Sequence, residues 1–200
     1  MAATNKRGVF SLETVLERQS DNNWSNIFDP FRYILDSSFG TDYGYYGGGS
    51  YNTGGNSASI IQRIDFNNDT ANSVTKGNES VTNQNRGGTS STSYGYIAGG
   101  NDPSVISSVD RTDYSNDTAT ASPKGPLSQA KGYTAGTHNS DYGYYGGGYD
   151  GGSPGRVTTV DRIDFSNDTA TASPKGPLTS PKNACSAVGN QSYGYFAGGG

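Results

Sequence analysis

The chain has 200 residues, with 14 Lys and Arg against 18 Asp and Glu and a formal charge of −4, so it lacks the basic footprint that phosphate backbones require and nucleic acid is excluded as a partner. Only 30% of residues are hydrophobic while Gly contributes 30 and Tyr 15, which leaves few aliphatic side chains for an ordinary two-layer core; aromatics at 12% and the small net charge argue against disorder. A single Cys, Cys185, excludes an internal disulfide framework, and with one His, His138 in the turn "GTHNSD", neither a metal centre nor a cofactor is expected.

In chain order, residues 1–42 come first and differ from the rest. They contain no run of apolar residues long enough to cross a membrane and no signal-peptide core, so membrane insertion and secretion are not expected. They do concentrate Phe10, Leu12, Leu16, Trp24, Ile27, Phe28, Phe31 and Ile34. Ser11 suits the cap of a short helix with Leu12, Val15 and Leu16 on one face, and Pro30 suits the first turn of another. Helices this short are marginal in water, so the segment is predicted to be a helical or extended anchor that docks on another protein.

From Tyr43 onward the chain repeats itself. "YGYYGGG" at Tyr43, "YGYIAGG" at Tyr94, "YGYYGGG" at Tyr142 and "YGYFAGG" at Tyr193 start 51, 48 and 51 residues apart. A second constant element, "QRIDF" at Gln62, "DRTDY" at Asp110 and "DRIDF" at Asp161, follows each of the first three. Next comes "SNDTATASPKGPL", identical at Ser115–Leu127 and Ser166–Leu178 and worn at 67–79, and then a small-residue segment. The units are read as 43–93, 94–141, 142–192 and a partial 193–200, each predicted to be a four-stranded antiparallel meander.

Within a unit, period-2 alternation places Val160, Arg162 and Asp164 on one face and Asp161, Ile163 and Phe165 on the other. The Asn-Asp-Thr step is a turn, because Asn and Asp bond their own backbone; that chemistry accounts for its match to a glycosylation sequon. "TATAS" is predicted to resume a strand and "PKGP" to end it. Arg63 and Asp65, Arg111 and Asp113, and Arg162 and Asp164 recur two apart on one face, read as a structural ion-pair ladder rather than a catalytic constellation, since catalysis needs carboxylates in differentiated surroundings. The loop Tyr149–Arg156 differs in every copy. Its Tyr149, Asp150 and Arg156 are the candidates for holding a sugar, the ring stacking on an apolar sugar face and the polar groups bonding hydroxyls. One Asp in "GGGYDGGSPG" is too few for calcium.

A strand ending in diglycine, a variable loop, a strand ending in hydrophobic-Asp-aromatic, a polar turn and a fourth strand resemble the kelch repeat, a module of β-propeller blades. Gly48-Gly49, Gly99-Gly100, Gly147-Gly148 and Gly198-Gly199 stand at the diglycine positions, and Asp65-Phe66, Asp113-Tyr114 and Asp164-Phe165 at the acidic-aromatic step. The fourth-strand tryptophan usual in kelch repeats is absent. The resemblance implies a mostly β fold, a kelch-like partial propeller whose remaining repeats or subunits would cover its edges.

The opening "KRGVFSLETVLERQSDNNW" and the stretch "VDRIDFSNDTATASPKGPL" also resemble virion appendage proteins of marine cyanobacterial tailed phages. That implies a tail fibre, baseplate or neck adhesin located on the virion, anchored to other virion proteins through residues 1–42, homo-oligomeric, and binding host-surface glycan with its repeat loops. Two alternatives carry different functions: a glycan-cleaving propeller, and an intracellular kelch-type interaction scaffold. No enzymatic activity is expected.

Overall fold

The computed structural model describes residues 42–50 and 57–200, which fall within the unit Thr41–Gly200. The anchor side chains Phe10, Leu12, Leu16, Trp24, Ile27, Phe28, Phe31 and Ile34 lie outside the described residues.

The described chain is mostly β, in four separate antiparallel sheets. The first contains β1 (Tyr43–Gly47), β2 (Ala58–Asp65) and β3 (Val74–Asn83) in that order. The second contains β4 (Gly87–Ser90), β5 (Tyr94–Ala98), β6 (Val109–Asp113) and β7 (Ser122–Lys124). The third repeats it with β8 (Ala135–His138), β9 (Tyr142–Gly146), β10 (Val160–Asp164) and β11 (Ser173–Lys175), and β12 (Ser186–Gly189) pairs with β13 (Gly194–Ala197) in the fourth. No α-helix occurs among the described residues. One 3-10 turn follows the second long strand of each copy, at Phe66–Asn68, Tyr114–Asn116 and Phe165–Asn167.

The sheets are out of phase with the sequence units by one strand. β4 and β8 end the units 43–93 and 94–141, yet they pair with β5 and β9 of the next unit. Tight hairpins cause this. The Oδ1 of Asn139 accepts from the amides of Asp141 and Tyr142 at 3.0 and 2.9 Å, and Asn190 does the same for Ser192 and Tyr193 at 2.8 and 2.9 Å. At Ser91 the hydroxyl oxygen accepts from the Tyr94 amide at 3.1 Å. A turn this short returns the chain antiparallel onto what it has just left.

The fourth strand also differs from its expected place. Thr118–Ala121 is turn and coil, and the strand is Ser122-Pro123-Lys124, with Ser173-Pro174-Lys175 its twin. Proline donates nothing to a ladder, so it belongs on the outermost strand, where β7 and β11 lie.

Sheets two and three stack face to face. Tyr96, Ala98, Val109 and Leu127 meet Tyr145, Ile163 and Ala172 in one buried cluster, so aromatic rings fill the volume that the scarce aliphatics leave. The edge strand β4 lies against β8, and β8 against β12. The approach of the first two is close enough that a Cβ on Gly136 would stand 2.1 Å from the Gly88 carbonyl oxygen. Each diglycine turns with positive φ, as at Gly99 (70°) and Gly100 (137°), a backbone that L side chains avoid.

Candidate functional site

The glycines release three loops. Each is closed at its base by an antiparallel bridge: Ser50 with Ser57, Asn101 with Val105, and Tyr149 with Arg156. Neighbouring loops touch. The Ser57 hydroxyl bonds the Asp102 carboxylate, and a Cβ on Gly151 would meet the Val105 methyl at 3.3 Å. The described residues of the three loops therefore lie along one rim.

Loop Tyr149–Arg156 is held by its own backbone. Tyr149 exchanges bonds of 2.8 and 2.9 Å with Gly132, the Asp150 amide donates to the Gly155 carbonyl at 2.8 Å, and the Gly152 amide donates to Asp150 Oδ1 at 2.9 Å. The Tyr149 ring packs where a side chain on Gly155 would stand, 2.2 Å from the would-be Cβ. Asp150 and Arg156 are exposed and Tyr149 half-buried. Such a loop offers a fixed ring edge flanked by a carboxylate and a guanidinium, the donors and acceptors that sugar hydroxyls use.

Below the rim, two seams join consecutive sheets, and their chemistry corrects the expected ladder. Arg63 pairs with Asp117 of the following copy at 2.8 Å, not with Asp65, and Arg111 pairs with Asp168 at 2.8 Å, not with Asp113. Lys76 and Lys124 reach the other oxygens of the same two carboxylates at 3.3 and 3.6 Å, and Tyr45 and Tyr96 donate their hydroxyls to them at 3.1 and 3.0 Å. Burial, with Asp168 alongside, pushes the Tyr96 hydroxyl up and keeps it a donor.

Asp65, Asp113 and Asp164 instead cap the 3-10 turns, accepting from the amides of Asn67, Ser115 and Ser166 at 2.9 Å each. Hydrogen bonds from the Ser115 and Ser166 hydroxyls hold the Asp113 and Asp164 carboxyls below the usual range. Arg162 has no carboxylate partner among the described residues. Its guanidinium lies over the Tyr142 ring at 4.1 Å, as Arg63 and Arg111 lie over Tyr43 and Tyr94 at 4.0 Å. The first ring of each tyrosine motif is thus engaged by its own sheet.

A buried charge cluster escaped the sequence reading. Arg86 Nη1 meets Glu79 at 2.6 Å and Asp110 at 2.9 Å, with all three side chains at most 1% exposed. One cation there faces two acids. Burial pushes the Glu79 carboxyl up to about 7, Arg86 opposing the rise and Asp110 adding to it. One copy on, Lys131 Nζ lies 3.1 Å from Asp161 Oδ2, both side chains fully buried, and it donates to the Tyr145 and Thr159 carbonyls at 3.0 and 3.2 Å. Asp161 Oδ2 accepts no well-aligned hydrogen bond, so the contact with Lys131 acts chiefly through charge. The signal was available: the first copy has Gln62 where the next two have Asp110 and Asp161, which are preceded by Arg86 and Lys131.

Among the described residues no cluster of His, Cys, Asp and Glu could hold a metal, and no helix is long and apolar enough to cross a membrane. No protein-family model matches the chain, and no curated protein matches it.

Proposed function

We propose that this protein is a display scaffold of a phage virion, a tail fibre or a baseplate or neck appendage, whose sheets are blades of a kelch-like propeller and whose rim loops bind host-surface glycan. The observation that carries the reading is the contrast between framework and rim. The strands, turns and seam contacts recur copy by copy, while the loops Ser50–Ser57, Asn101–Val105 and Tyr149–Arg156 differ in length and sequence and touch one another. Constant framework under variable contiguous loops suits recognition. It suits catalysis less, because the recurring Asp65, Asp113 and Asp164 cap turns while Arg63 and Arg111 are taken up by seams. Residues 1–42, with their aromatic density, would attach the scaffold to other virion proteins.

The test replaces Tyr149–Arg156 with a Gly/Ser linker of equal length. The variant should keep its β-sheet circular dichroism and lose binding on a glycan array and adsorption to host cells. Unchanged binding, or cleavage of the arrayed glycans by the parent protein, would remove this reading in favour of another surface or of an enzyme.

A further inference from the structure

The two occupied seams define what a sheet presents to its next neighbour: a tyrosine, an arginine, a lysine and a glycine that receive an Asn-Asp-Thr turn. In the first seam the Gly77 amide donates to the Asp117 carbonyl at 2.8 Å and the Ala121 amide to Asn78 at 2.7 Å. In the second, Gly125 donates to Asp168 at 2.9 Å and Ala172 to Pro126 at 2.8 Å. Both glycines are obligatory, since an added Cβ would stand 1.9 Å from the Ala119 oxygen at Gly77 and 2.0 Å from the Ala170 oxygen at Gly125.

The third sheet presents the same set, Tyr144, Arg162, Lys175 and Gly176, and nothing among the described residues fills it. A Cβ on Gly176 would meet no atom within 4 Å. Leu178 is partly exposed, whereas its counterpart Leu127 is 2% exposed. A cleft of about 340 Å³ opens there, lined by Tyr144, Lys175, Gly176, Leu178, Gly194 and Phe196 among others. Lys182 adds a third cation. Its amide bonds Val157 and its carbonyl accepts from Gly148, the pattern by which Lys131 is held through Ile106 and Gly100, yet among the described residues no acid meets it as Asp161 meets Lys131. Beside the cleft, β13 is paired on one edge only, where β5 and β9 are paired on both.

We propose that this cleft is a docking seat for an extended segment of the repeat's own chemistry, brought from outside the described residues: hydrophobic-Asp-Arg-x-Asp-aromatic followed by Asn-Asp-Thr. The segment adds to the free edge of β13, as β10 adds to β9. Its first Asp meets Lys182, its turn Asp meets Arg162 and Lys175, and its turn backbone lies over Gly176. Three cations without an acidic partner among the described residues, facing two acids, supply the complementarity. A second copy of this chain has a free turn at exposed Phe66 and Asp69, but its β1 would need the place that β13 already holds.

The probe is a synthetic peptide with the sequence of residues 160–175, added to the 200-residue protein and followed by calorimetry. Saturable one-to-one binding is expected, at least about tenfold weaker for the peptide whose turn Asp is Ala, as loss of charged hydrogen bonds requires. Gly176→Ala should leave the melting temperature of the free protein unchanged and abolish peptide binding. Absence of binding, or equal binding to Gly176→Ala, overturns the proposal. So does self-association in sedimentation velocity that Asp69→Ala removes, which would give the seat to a second copy.

Discussion

Asp117 and Asp168 each bring together an arginine, a lysine and a tyrosine from the preceding sheet, and at 8% and 7% exposure they are screened from water. Asp69, the same letter in the first copy, is exposed and meets no sheet among the described residues. Asp168→Ala should therefore cost about 2–3 kcal/mol in urea unfolding, the loss of charge-assisted bonds with the partners left in place, while Asp69→Ala should fall within about 0.5 kcal/mol of the parent. Glu79 makes a pH prediction. With its folded pKa raised to about 7 from an ordinary value of 4.5, the folded state keeps a proton that the unfolded state releases. Stability then falls as pH rises from about 4.5 to 7, by up to about 1.4 kcal/mol per unit, and levels off above. Glu79→Gln, which keeps one acid, Asp110, for Arg86, should flatten that decline in denaturation midpoints measured across the range. An unaltered slope would assign the proton elsewhere.

Among elements, the outer edge strands and the turns that lock against them carry the stacking. The 3-10 turns at 114–116 and 165–167 agree closely, with cap residues Asp113 at φ −88°, ψ 118° and Asp164 at φ −91°, ψ 116°. Identical letters give identical local structure here because the bonds that fix it, aspartate to the amide two residues on, are local. The rings that follow stack on the preceding sheet, Tyr114 on Tyr45 at 4.7 Å and Phe165 on Tyr96 at 4.9 Å. Adding a methyl to this interface discriminates occupied from open seams. Gly125→Ala should destabilise by about 1–3 kcal/mol, because the atom it strikes is backbone and cannot rotate away, whereas Gly176→Ala should be neutral in the same thermal melt.

At the scale of the molecule, sheets are joined in series through equivalent seams, so stability is close to a sum of sheet and seam terms. Loops on the rim enter that sum weakly, since a Gly/Ser linker can adopt the same positive-φ turns and make the same backbone bonds; replacing Tyr149–Arg156 should move the unfolding free energy by less than about 1 kcal/mol while changing what the rim binds. The proposed attachment through residues 1–42 predicts that Trp24→Ala with Phe28→Ala lowers occupancy of the protein on purified virions, measured by quantitative mass spectrometry. An aromatic at the centre of an interface commonly carries about 2 kcal/mol or more. Full occupancy would detach the anchor role from these residues.

The repeat period, the glycine turns, the turn at the Asn-Asp-Thr step and the face on which each strand residue lies were written in the letters, because each is decided within a few residues of chain; that Asp113 and Asp164 cap the turn was not. Arg111 was placed on the correct face of its strand, but a face does not name its neighbour. Its acid is Asp168, 57 residues on, as Asp117 is 54 residues from Arg63. Nor does alternation say which side a short strand will pair on, and β4 and β8 join the sheets of the following units. Only the stacking of one sheet on the next decided the partners of the charges and the burial of Glu79 and Lys131. Those outcomes depend on contacts between copies, and a sequence that repeats offers every copy the same possible partners until packing selects one.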